Sequence, residues 1–179
     1  MKKNKQIQYL RESVETLQKS SEFSGLSVIL LAIALEKQIK NIVIYNYRKS
    51  GLSASFIRSH LLKGLGYSDL LNELDWAADF KENKKIKKIW KESKPIVSDL
   101  FGVMKTRNRL VHSIGGVSPE GINSSVIELL FVIEKLSEIF EFNFNYNGLD
   151  SLPKTIKVED LNVSSRLFHK SITKKFNKR

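Results

Sequence analysis

Arg107-Asn108-Arg109-Leu110-Val111-His112 brings a guanidinium, a carboxamide and an imidazole together within two helical turns. Those groups suit phosphate chemistry. A guanidinium offers a phosphate a planar fork of donors and stays charged. An imidazole, with an ordinary pKa near about 6.5, gives or takes a proton at neutral pH. A carboxamide can orient either of them. Such a set could cleave RNA without a metal. A base would deprotonate the ribose 2′-hydroxyl for attack on the adjacent phosphorus, an acid would protonate the departing 5′-oxygen, and the cation would sit on the phosphorane oxygens. The products would be a 2′,3′-cyclic phosphate and a 5′-hydroxyl. Acid plus base calls for two proton-transfer groups and the motif carries one histidine. A two-fold dimer would bring two copies into one basic cleft.

The hexapeptide closes a helix-patterned stretch, PIVSDLFGVMKTRNRLVHS, with Pro95 in its first turn and Gly115-Gly116 as its stop. At about 100° per residue, Ile96, Leu100, Met104, Val111 and Ile114 define an apolar face with Arg107 in its middle. Lys105, Thr106 and Arg109 fall on the opposite side, and Asn108 and His112 share the edge of the apolar face, one turn apart. A charge inside a packing face must meet a carboxylate, a partner chain or a bound anion. Glu36 is the matching intruder on another apolar helix, among Ile29, Ala32, Ile39 and Val43. A Glu36–Arg107 pair would hold the guanidinium in place. Arg107→Ala would then strand a carboxylate at about 3–5 kcal/mol. The structural alternatives are an arginine that snorkels from a core helix and a glutamate on an exposed flank.

RNRLVH resembles the Arg-x4–6-His signature of the HEPN superfamily, in the form with Asn after Arg and a small residue or glycine soon after His. The resemblance covers residues 20–142, and its sharp part is these six residues. It implies a helical bundle, often dimeric. Many such domains are metal-independent RNA endonucleases of toxin–antitoxin, abortive-infection and CRISPR systems, and others are non-catalytic. By that resemblance Arg107, Asn108 and His112 are the active-site residues, and no metal or other cofactor is required. Glu36, from its place on the wheel, and Arg109, within the motif, are the expected supporting residues. The partners implied are RNA, a second copy of the chain, and an antitoxin or regulatory protein.

Charge and composition fit an anionic partner. The 179 residues carry 30 lysines and arginines against 19 aspartates and glutamates, a net charge of +11. Nucleic acid is the first candidate, although Lys- and Asn-rich composition also arises from genomic base composition. The absence of cysteine removes disulfides, a thiolate nucleophile and Cys-based zinc sites, and fits a reducing cytoplasm. The basic N-terminus has no apolar core of a signal peptide. The longest apolar run, Leu26 to Leu35, is broken by Ser27 and ends at Glu36-Lys37, short of the roughly 20 residues that span a bilayer.

Elsewhere a 3.6-residue repeat recurs. It predicts helices over about 4–20, 22–48, 67–80 and 122–141, with Gly51 closing the second and Ser53 capping a short one through Leu62. Gly64 and Gly66 mark a turn, GVSPEGI a loop, and FNFNYNGLDSLP (142–153) a break. Asp69, Glu73 and Asp75 read as a solvated acidic face. KENKKIKKIWKESK (81–94) sets seven lysines around Ile86, Ile89 and Trp90. Lys84, Lys85, Lys87 and Lys88 would form an electrostatic track for RNA phosphates, or an ordinary charged surface. Ile156 and Val158 allow a short strand; Leu167, Phe168, Ile172 and Phe176 follow among lysines, and His169 is incidental. The expectation is an all-α, HEPN-like helical bundle over residues 1–142 with a basic C-terminal extension over 143–179. A non-catalytic binding module or helical adaptor is the competing function. A DNA-binding repressor, with a helix-turn-helix near Gly64–Gly66, is a third. RNA cleavage that survives EDTA separates the nuclease from both.

Overall fold

In the computed structural model the described residues are 5–20, 24–49, 51–79, 101–112 and 117–157, and every regular element within them is helical. The repeat of Ile7, Leu10, Val14 and Leu17 becomes α1 (Lys5–Gln18), with Val14 fully buried. The most apolar stretch becomes α2 (Ser24–Lys49). Ser53 caps α3 (Ala54–Phe56), its hydroxyl accepting the Phe56 N–H at 3.1 Å. The chain continues as a π turn, Ile57–Leu61, closed by the Leu62 N–H on the Ile57 carbonyl at 2.9 Å. Gly64, at φ +72°, turns it into α4 (Tyr67–Asp79). The motif helix is α5 (Phe101–His112), and α6 runs over Pro119–Phe144.

Helix α6 starts about three residues before the apolar pattern does. Ser118 is its N-cap, accepting the Gly121 N–H at 3.2 Å, and Pro119 occupies the first turn, where its missing N–H costs nothing. The backbone N–H of Glu120 and the Ser118 hydroxyl hold the Glu120 carboxyl below the usual carboxylate range. At the far end Asn145 takes the left-handed conformation, φ 53°, and its N–H bonds the Glu141 carbonyl at 2.9 Å.

The chain forms two compact units, Met1–Gln38 with Lys91–Asp150, and Ile39–Trp90 with Ser151–Arg179. In the first, Ile122, Val126, Leu129, Val132, Ile133, Leu136, Phe140 and Phe144 give α6 a continuous buried face. Arg11 Nε donates to Glu134 Oε1 at 2.6 Å and Gln18 to Asn123 at 3.1 Å, tying α1 to α6 at the surface. The decisive polar group is Gln38, fully buried on the same stripe as Leu31 and Leu35. Its Nε2 points at the Ser137 hydroxyl (2.8 Å), the Asn147 carbonyl (3.1 Å) and the Ile133 carbonyl (3.2 Å). Asn147 in turn accepts the N–H groups of Leu149 and Asp150 at 2.8 and 3.0 Å, an Asx-type turn, and donates to the Asp150 carboxylate at 2.7 Å. Segment 145–150 is therefore a packed turn with Tyr146, Asn147 and Leu149 buried, where the sequence showed only a break in periodicity.

In the second unit Tyr47 donates to Glu73 Oε2 at 2.8 Å, both side chains buried. Burial pushes the Tyr47 phenol far above its ordinary range, and the neighbouring Glu73 adds to the shift. This corrects the solvated acidic face: Asp69 is exposed, but Glu73 is a core residue held by a phenol. Arg48 donates to the carbonyls of Pro153 and Lys154 at 2.8 and 2.9 Å. The chain over 151–157 is irregular, so Ile156 is not in a strand. Lys84, Lys85, Lys87 and Lys88, Gly115-Gly116, Val158 and His169 lie outside the described residues. No helix among the described residues is long and apolar enough to cross a membrane.

Replacing Gln38 with leucine removes an NH2 group from the Ser137 hydroxyl and the Asn147 and Ile133 carbonyls, and a buried acceptor left unmet is costly. Gln38→Leu is expected to lose about 1–3 kcal/mol in urea unfolding. Adding Ser137→Ala should recover part of that loss, because the hydroxyl no longer needs a partner. Wild-type stability in Gln38→Leu would remove the amide from this role.

Candidate functional site

Helix α5 lies against α6, and the exposure of its side chains shows how it is rotated. Thr106, Arg107 and Leu110 are half-buried, whereas Lys105, Asn108, Arg109, Val111 and His112 are exposed. Leu110 is the centre of the sheltered side. Arg107 stands about 60° from it, on the flank. The face expected through Val111, with Arg107 in its middle, is thus corrected, since Val111 is 45% exposed. The physical reason is a close approach at Gly25. A Cβ there would lie 3.1 Å from Leu110 Cδ2, so the missing side chain lets the leucine in against the start of α2. That contact sets which residues of α5 point outward.

Arg107 Nη1 donates to Asn108 Oδ1 at 2.8 Å. Ion pairs among the described residues include Arg11–Glu134 and Lys135–Glu138, and neither involves Arg107. The expected Glu36–Arg107 pair is not made, and Glu36 is a half-buried residue of α2. A guanidinium on the flank of a helix keeps much of its hydration and needs no buried carboxylate. Comparisons with family models, curated proteins and solved structures give no match.

The pair Arg107 and His112 is separated by about 140° around the helix and about 7.5 Å along it. Asn108 lies between them, about 40° from His112 and bonded to Arg107. The Asn108 NH2 group is a donor distinct from the Oδ1 that the guanidinium occupies. The outward face also carries Lys105, which the motif did not include. Lys105, Asn108, Arg109 and His112 follow i, i+3, i+4, i+7 spacing and form one exposed stripe about 10 Å long. The spacing was legible from the sequence; the rotation that exposes it was not. Arg109, in the last turn, also faces the negative end of the helix dipole. Chemically, the end of α5 offers a guanidinium, an amide donor and an imidazole to an anion arriving from solvent. It holds one imidazole per chain.

This geometry separates the motif from stability. Asn108→Ala and His112→Ala, at exposed positions, and Arg107→Ala, on a half-buried flank without a buried carboxylate partner, are each expected to shift unfolding free energy by no more than about 0.5–1 kcal/mol. Urea unfolding checks it. A loss of about 3 kcal/mol in Arg107→Ala would point back to a buried ion pair.

Proposed function

We propose that this chain is a metal-independent RNA endonuclease of HEPN type, serving as a toxin or an abortive-infection or defence effector. The observation that carries the reading is the Arg107–Asn108 hydrogen bond beside an exposed His112 at the end of α5. In this reading Arg107 binds the scissile phosphate, Asn108 orients guanidinium and phosphate, and His112 transfers the proton at the 2′- or the 5′-oxygen. Arg109 and Lys105 raise the positive potential along the same stripe. Glu36 drops from the supporting set because it does not bond the guanidinium. A second copy supplies the second imidazole. Exposed apolar side chains support that assembly: Val111 beside the motif, and Leu26 and Ile33 on α2, 45% and 53% exposed. The same residues favour the second reading, a non-catalytic binding module whose protein partner covers this face.

Total RNA incubated in EDTA with wild type and variants decides between them. Wild type should cleave. His112→Ala should lose roughly 10²–10⁴-fold in rate with little change in RNA affinity. Arg107→Ala should lose cleavage, and Arg107→Lys should not fully restore it, because an ammonium lacks the planar fork. Replacing Lys84, Lys85, Lys87 and Lys88 should weaken affinity in a salt-dependent way and spare the chemical step. If both motif variants cleave like wild type, or wild type never cleaves, the enzyme reading fails and the binding module inherits the motif.

A further inference from the structure

A second basic stretch stands out in the sequence. Residues 37–68 carry Lys37, Lys40, Arg48, Lys49, Arg58 and Lys63, and no aspartate or glutamate. Within it, α3 and the π turn stack the ring of His60 on that of Phe56, with centroids 4.7 Å apart and planes 17° from parallel. Phe56 is half-buried and His60 exposed, so one face of the imidazole rests on phenylalanine and the residue stays open to solvent. Arg58, Ser59 and Lys63 are exposed as well.

The imidazole is held in orientation. The Ser59 hydroxyl donates to the Ser55 carbonyl at 2.8 Å, which leaves its oxygen to accept. His60 Nδ1 lies 2.7 Å from that oxygen and 3.3 Å from the Phe56 carbonyl. A carbonyl can only accept, so both contacts call for the proton on Nδ1. A ring kept only to cover Phe56 would not need hydrogen bonds that fix its plane. Single π turns inside helices recur at functional sites, because the widened turn re-aims side chains.

We propose that the open face of His60, backed by Phe56, is a stacking platform for an unpaired base of single-stranded nucleic acid, with Lys63, three residues on, attracting a flanking phosphate and Arg58 adding to the positive potential of the turn. Every base has a π face, so such a platform binds strands with little regard to sequence, while nearby cations supply salt-dependent attraction. The ligand class draws on the reading of the chain as an RNA-binding protein. The platform itself does not depend on cleavage.

The test is fluorescence anisotropy of the full chain with a short labelled single-stranded deoxyoligonucleotide, beside an abasic strand of the same length. His60→Ala should weaken the intact strand by about 5- to 150-fold, the worth of one stacked base, and leave the abasic strand unchanged. His60→Phe should restore binding, because the ring face and not the imidazole nitrogen makes the contact. Arg58→Ala with Lys63→Ala should weaken both strands alike and flatten the salt dependence. Wild-type affinity in His60→Ala, equal loss on both strands, or failure of His60→Phe to restore binding would each overturn the platform. The deoxy strand has no 2′-hydroxyl, so that outcome leaves the nuclease reading standing. Absent RNA cleavage with stacking intact would overturn the nuclease reading alone.

Discussion

A buried amide sets the constraint on which the first unit is organised. Gln38 sits at a position where its helix is otherwise packed with leucine, and its NH2 group must find acceptors or forfeit the desolvation cost of a polar group. It finds them on two separate pieces of chain, along α6 at Ile133 and Ser137 and in the turn after α6 at Asn147. An apolar residue would accept several registers of α6 against α2. An amide with directional partners accepts one. Gln38 Oε1 has no donor among the described residues, which offsets part of what the Nε2 contacts contribute, while their directions still fix the register. Helix α5 packs against the α6 that this contact fixes, and Leu110 entering at Gly25 sets its rotation.

That rotation decides the electrostatics of the motif. An arginine buried against a carboxylate would be held in place but already neutralised, and a phosphate would have to compete with the internal partner. On the half-buried flank of α5 the guanidinium instead spends one donor on Asn108 and is not committed to a carboxylate. The site is built on a helix rather than a loop, so the spacing of Lys105, Asn108, Arg109 and His112 is fixed by backbone geometry.

Much of this was readable from residue spacing, and the rest failed for identifiable reasons. Long amphipathic helices declared themselves, as did the Ser53 cap and the turn at Gly64. The start of α6 was hidden because Ser118-Pro119-Glu120 reads as a loop when only apolar residues are counted, although cap, proline and acid together spell a helix start. Gln38 was legible in principle from its place among Leu31, Leu35 and Ile42, but next to Glu36 and Lys37 a glutamine reads as part of a polar flank. The Tyr47–Glu73 bond was not legible: it joins residues 26 apart, and the spacing that puts Tyr47 in line with Ile39 and Val43 does not say which polar group its hydroxyl meets. The orientation of Arg107 was missed for a related reason. A wheel treats Val111 and Leu110 alike as apolar, while the absence of a side chain at Gly25, in a different helix, selects Leu110.

The proposed chemistry makes the substrate's own 2′-hydroxyl the nucleophile, and one substrate change tests that directly. Once a cleaved linkage in a defined RNA is known, the same RNA is prepared with a single 2′-deoxy residue on the 5′ side of that linkage. Both are incubated with the protein in EDTA, and the new ends are read by mass spectrometry. Attack by the 2′-hydroxyl predicts a 2′,3′-cyclic phosphate and a 5′-hydroxyl from the natural RNA, and an intact linkage at the deoxy position. Cleavage at the deoxy linkage, or a free 3′-hydroxyl opposite a 5′-phosphate, would contradict it.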